Sequence, residues 1–126
     1  MKKLLLIDNA VSHSPVFLNT LKKDGDYEIT LVTTQEQYEQ TISEEYDIAF
    51  LVDLNIPGGQ QTNGRKYETA MGILADIRGR ELPVLLLRGM EPQEVEEKAR
   101  ALGARVLRKP LMLGAILEEL RQLELE

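Results

Sequence analysis

Leu4-Leu5-Leu6-Ile7-Asp8 and Ile48-Ala49-Phe50-Leu51-Val52-Asp53 are two unbroken apolar runs, each closed by an aspartate. Runs of this length without polar alternation suit strands covered on both faces, as in the interior of a parallel sheet. If they lie side by side, both carboxylates leave the sheet at one edge. Far downstream a Lys109-Pro110 pair follows another short apolar stretch and would bring an amine to that edge. Acids and an amine converging at strand ends form a layout for a metal ion or a phosphoryl group.

Outward from these runs, apolar stretches alternate with segments of helical period, which predicts β-α units in series. The first strand covers about 3–7. Ser14 then offers an N-cap with Pro15 at the first helical position, Leu18 and Leu21 face inward, and Asp24-Gly25 stops the helix. Lys22 and Lys23 suit its C-terminal dipole. Over 27–32, Tyr27, Ile29 and Leu31 are read as alternating with polar residues, as on an outermost strand with one wet face. Thr33 and Glu36 fit a capping box for a helix through about Ser43. The third strand is 48–52, and Pro57, Gly58, Gly59 and Gly64 mark 55–66 as a long polar loop.

Tyr67, Ala70, Met71, Leu74 and Ile77 then share a helical face that ends at Gly79, and a fourth strand covers 84–87. The fourth helix, about 92–102, has only Val95, Ala99 and Leu102 to bury, with Glu94/Lys98 and Glu96/Arg100 as pairs on its wet face. It is expected to be loosely held. Gly103 ends it, a fifth strand spans 105–107, and Leu113, Ile116, Leu117, Leu120 and Leu123 form the stripe of a last helix. Strict alternation predicts a doubly wound α/β fold: a five-stranded parallel sheet, order 2-1-3-4-5, flavodoxin-like, with helices on both faces. Its ligand crevice falls between strands one and three, flanked by Asp8 and Asp53.

Composition bounds the function. With 126 residues and 43% hydrophobic content the chain is expected to form a single domain over 1–126. Fifteen basic against 21 acidic residues give a net charge of −6, which disfavours nucleic acid and anionic lipid. Cysteine is absent, so disulfides and thiolate metal sites are excluded. The apolar run after Met1-Lys2-Lys3 stops at Asp8, too short for a signal peptide or a membrane span, and the cytoplasm is the default location.

At these residues the chain resembles, along its whole length, the receiver domain of bacterial response regulators. Those domains are phosphorylated on an aspartate by a histidine kinase. The matching positions are Asp8 after the first strand, Asp53 in Asp53-Leu54-Asn55-Ile56-Pro57-Gly58, the strand from Pro83 to Leu87, and Gly103-Ala104 ahead of Lys109-Pro110. The resemblance implies Asp53 as phosphoacceptor and Mg²⁺ on Asp8, Asp53 and the Asn55 carbonyl. It also implies Lys109 on the phosphoryl oxygens. Such residue types fit, because transferring phosphoryl groups carry spread negative charge that a cation and a lysine offset.

Departures from the family pattern concern activity. The acidic pair is Asp8-Asn9, so Asn9 is left as a weak ligand and Mg²⁺ affinity is expected to fall. Arg88 stands where the family has a switch hydroxyl, and Val106 or Leu107 stands where it has a switch aromatic. The loop after Asp53 is longer than usual. A slip of one residue in the third strand would put Val52 at the acceptor place. An Arg88 guanidinium paired with Asp53 or Asp8 would stand in for the metal and make a pseudo-receiver.

Plainer readings exist for each residue. Asp8 fits a loop cap, Asp53 before Pro57-Gly58 a turn residue, Lys109 a surface lysine, and Arg88 a solvated one. The resemblance implies a histidine kinase or phosphotransfer protein as one partner. A homodimer or a downstream protein is implied at the face of helix four, strand five and helix five, where Arg100, Arg105, Arg108 and Arg121 stand among glutamates. Two readings result: a phosphorelay receiver that is not an enzyme, or a binding module of the same fold that is never phosphorylated. A small phosphatase-type enzyme is a remote third, lacking a second acid two residues after Asp53, where Asn55 stands.

Overall fold

The computed structural model describes residues 2–8, 15–52, 68–88, 93–108 and 113–125. Within them the elements follow in strict alternation: β1 (Lys2–Ile7), α1 (Pro15–Lys23), β2 (Tyr27–Val32), α2 (Gln35–Thr41), β3 (Ile48–Leu51), α3 (Glu68–Gly79), β4 (Val84–Arg88), α4 (Gln93–Ala101), β5 (Arg105–Arg108) and α5 (Leu113–Glu124). All strand pairs are parallel, in the order β2-β1-β3-β4-β5, as the alternation predicts. The 55–66 loop, Tyr67 and the Ser14 cap lie outside the described residues.

Strand alternation divides the core between the two faces of the sheet. Leu5, Ile7, Ala49, Leu51, Val84, Leu86 and Val106 face α2, α3 and α4, meeting Tyr38, Ile42, Ala70, Ile73, Leu74, Ile77, Val95 and Ala99. Leu4, Leu6, Ile48, Phe50, Val52, Leu85 and Leu87 take the other face, against Leu21 of α1 and Ile116, Leu117, Leu120 and Leu123 of α5. The central apolar runs are therefore covered on both sides, which is why they carry no polar alternation.

Several local expectations are corrected. On β2, Tyr27 is buried but Leu31 is 38% exposed, while Val32 is fully buried on the opposite face. Alternation on this edge strand thus fades toward its end. The cap of α2 is Thr34, not Thr33: Thr34 has extended backbone (φ −137, ψ 164) and its side chain accepts from the Gln37 N–H at 3.2 Å. The Gln37 side-chain oxygen reaches back to accept from the Thr33 N–H and hydroxyl, each at 2.7 Å. Thr34 is thus the cap, one residue later than expected, while the return bond goes to Thr33, the residue before it. Ile73 joins the inward face of α3 at 2% exposure.

Polar ties close the ends of the molecule. Tyr27 Oη donates to Glu124 at 2.5 Å and Arg121 donates to the Asp24 carbonyl at 3.0 Å, fastening α5 to the start of β2. Tyr38 Oη donates to Asp76, which also accepts from Arg80 at 3.1 Å, joining α2 to α3. Burial, then the carboxylate partner, pushes both phenols above their ordinary range. Arg78 donates to the carbonyls of Leu102 at 3.0 Å and Leu82 at 2.9 Å, tying α3 to the end of α4.

Candidate functional site

Asp8 is the first residue beyond β1 and is 2% exposed. Its backbone N–H donates to the Val32 carbonyl at 3.0 Å, and the Val52 N–H donates to the Ile7 carbonyl at 2.9 Å. Pairing on both sides of β1 therefore continues to the strand ends. The register Ile7↔Leu51 sets the ends of β1 and β3 side by side at the carboxyl edge of the sheet. This is the crevice between strands one and three where the order reverses.

Val52 is 7% exposed and packs with Leu4, Leu6 and Phe50. A one-residue slip that would offer Val52 at the mouth of the sheet is not what the structure has. Val52 is spent in the interior because Ile48 and Phe50, of the same parity, face the layer of α1 and α5. Asn9, Asp53, Asn55 and Lys109 lie outside the described residues. Arg88 is described by its backbone, which ends β4 in register with Arg108 of β5. Val106 is 6% exposed and belongs to the core on the α4 side. Among the described residues no group of three or more His, Cys, Asp or Glu is arranged to hold a metal.

The sequence reading missed one ionic cluster near this edge. Glu96, expected on the wet face of α4, is 3% exposed. Its carboxylate accepts from Arg100 Nε at 3.3 Å and from Arg108 Nε at 3.3 Å, and Arg108 also donates to the Gln93 side chain at 3.3 Å. The expected Glu96/Arg100 pair exists but not where expected, whereas Glu94–Lys98 at 3.5 Å is exposed as foreseen. A signal was available: Glu96 sits next to Val95 and one turn before Ala99, and Arg108 has the parity of Val106. The other two arginines of this face are paired as well, Arg105 with Glu119 at 3.2 Å and Arg121 with Glu118 at 4.0 Å.

This topology, with an acid buried at the end of the first strand, has the fold of response-regulator receiver domains. No protein-family model matches the sequence, and no curated protein does. Solved structures do. A CheY-like receiver domain from Methanospirillum hungatei superposes with a TM-score of 0.79 at 16% identity, covering 98% of this chain and 94% of that one. A two-component response regulator from Clostridium difficile gives 0.76 at 21% identity, covering 98% and 95%. The chemotaxis response regulator CheY4 of Vibrio cholerae gives 0.73 at 21% identity, covering 98% of each chain. No helix among the described residues is long and apolar enough to cross a membrane.

Proposed function

We propose that the chain is a receiver-type signalling domain that accepts a phosphoryl group on Asp53 and acts through protein contacts in the cytoplasm. The observation that carries the reading is Asp8: a carboxylate 2% exposed at the carboxyl end of β1, beside the end of β3. A carboxylate at that edge is a hard oxygen donor of the kind a divalent cation takes. Val52, the residue before Asp53, has its side chain in the core, so the strand reaches the edge in a register that favours residue 53 as acceptor.

On this reading a histidine kinase or phosphotransfer protein is the donor. A carboxylate oxygen of Asp53 attacks phosphorus in line, an acyl-phosphate O–P bond forms, and the donor's P–N bond breaks. Lys109 offsets charge on the phosphoryl oxygens. The donor set suits Mg²⁺ in kind, because the carboxylates of Asp8 and Asp53 and the Asn55 carbonyl are hard oxygen ligands. Bound there, Mg²⁺ would neutralise phosphoryl charge; Asn9, a neutral amide, weakens its hold. Output passes to a downstream protein or a second copy at the face of α4, β5 and α5.

A second reading is favoured by two observations: β4 ends in Arg88, and β5 carries small, buried Val106 followed by Leu107 where the resemblance implies a switch aromatic. Under it Arg88 pairs with the acids, no phosphoryl group is taken, and the domain works as a binding module. Incubation with a small phosphodonor and Mg²⁺, followed by intact-mass measurement, separates the two. Gain of one phosphoryl group, lost in Asp53→Asn, supports the relay; an unchanged mass supports the module. Under the module reading Arg88→Thr restores Mg²⁺ binding by titration, and unchanged metal affinity removes that reading.

A further inference from the structure

The negative charge of the chain is concentrated in one stretch. Residues 24–64 carry nine Asp and Glu and neither Lys nor Arg, while all 15 basic residues lie in the other segments against 12 acids, leaving those segments at +3. Eight of the nine acids fall among the described residues, and all eight are exposed. The stretch includes β2 and α2, so an acidic side flanks the β2 edge of the sheet, opposite β5. On this side α2 and α3 leave between them a groove of about 370 Å³. Its first wall is Gln35, Tyr38 and Glu39 of α2 with Ile42 directly after them, a spacing that follows one helix face. Tyr38, Ile42 and, from α3, Ile73 are buried and give the groove an apolar floor.

From this arrangement we infer that the α2–α3 groove docks a basic amphipathic helix of a partner protein, with an apolar side chain on the floor and a Lys or Arg on Glu39. Glu39 is exposed, and among the described residues its carboxylate accepts only from Gln35, at 3.5 Å. The cation of the groove, Arg80, is already bonded to Asp76 at 3.1 Å, so the lining keeps a net negative charge. Gly72 opens the α3 wall: a Cβ there would meet nothing within 4 Å. No contact calls for glycine at this helical position, where it costs backbone entropy, and its effect is to leave the floor within reach. Helix-in-groove recognition uses apolar anchors of this kind, and a positive partner meets a complementary potential. Nucleic acid and anionic lipid are repelled by the same surface. The described lining residues lie on α2 and α3 or directly after them, away from the α4, β5 and α5 face.

Docking does not depend on phosphorylation of Asp53, and its test needs no phosphodonor. The probe is a synthetic amphipathic helix of Lys and Leu, with a Lys-Ser peptide of equal charge as its counterpart without an apolar face. Binding to the full chain is read by fluorescence anisotropy and located by amide chemical-shift changes. Shifts are expected over 35–42 and 72–80, with affinity falling as salt is raised. Glu39→Lys and Gly72→Leu should each weaken the Lys-Leu peptide about tenfold, the first by reversing charge and the second by filling the groove. Gly72→Leu places a better helix former at an exposed position, so the fold is kept. Glu118→Lys, exposed on α5, should leave binding unchanged. Absent binding, shifts centred elsewhere, equal binding of the Lys-Ser peptide, or unchanged affinity in Gly72→Leu would each overturn the inference. Hexylamine giving the same shifts at equal affinity would make this a small-amine site, and self-association of the free chain that Gly72→Leu abolishes would make the occupant a second copy. Either result also overturns the partner helix.

Discussion

At Tyr38 the phenol donates to Asp76, and this bond, followed by Arg80, holds the Asp76 carboxyl below the ordinary carboxylate range. A group whose folded pKa is depressed stabilises the protein above its ordinary value, about 4, and that contribution is lost as pH falls through the lowered folded value. Tyr38→Phe should therefore lower stability at neutral pH and make its decline below about pH 5 shallower than in the parent, as read from urea midpoints across the acid range. An equally steep decline would show that Arg80 alone depresses Asp76. Gly103 is the other telling residue. Its φ is +96, and an added Cβ would lie 3.0 Å from the Arg78 guanidinium. Gly103→Ala should cost about 1–2 kcal/mol by equilibrium unfolding. The sequence marked Gly103 as a helix stop, but nothing in it showed Arg78 reaching across to brace that turn.

Among the elements, α2 shows how nearly degenerate local signals are resolved. Thr33 and Thr34 both precede a helical pattern, and Glu36 and Gln37 both stand three residues on. Pattern alone cannot choose between the two pairs; the extended backbone of Thr34 does. Thr34→Ala should cost about 1 kcal/mol in urea unfolding. Thr33→Ala should cost less, because it leaves the Gln37 N–H satisfied. For α4 the reading failed for a different reason. An i,i+4 acid-base pair resembles a solvated stripe, and only the sheet beneath reveals that β5 sends a second arginine to the same acid. Element existence and type were legible throughout from periodicity. What escaped was the partner that tertiary packing supplies.

For the molecule as a whole, the alternation of strand parity makes neighbouring residues serve opposite layers. Leu5 faces α2, α3 and α4, and Leu6 faces α1 and α5, both at full burial. Leu5→Ala and Leu6→Ala should each cost about 2–5 kcal/mol, and each should shift the same cooperative transition, because both layers pack on one sheet. A biphasic unfolding curve in either variant would refute that. Sheet order followed from strict β-α alternation and right-handed crossovers, and so did the edge where Asp8 emerges. Asn9, Asp53, Asn55 and Lys109 were legible as residue types, and they lie outside the described residues. Glu96 of α4 and Arg108 of β5, 12 positions apart, were invisible as a pair because only tertiary packing brings that helix and that strand together.

The Tyr27–Glu124 bond joins positions 97 residues apart, and Arg121 reaches back over the same span to Asp24. During synthesis the outermost strand leaves the ribosome long before its covering helix exists. Loops of that length close slowly relative to local contacts. A nascent chain stalled ahead of residue 113 would display Tyr27 and the flank of Phe50 without their lid, making the unfinished polypeptide a client for chaperones until its final helix has cleared the exit tunnel.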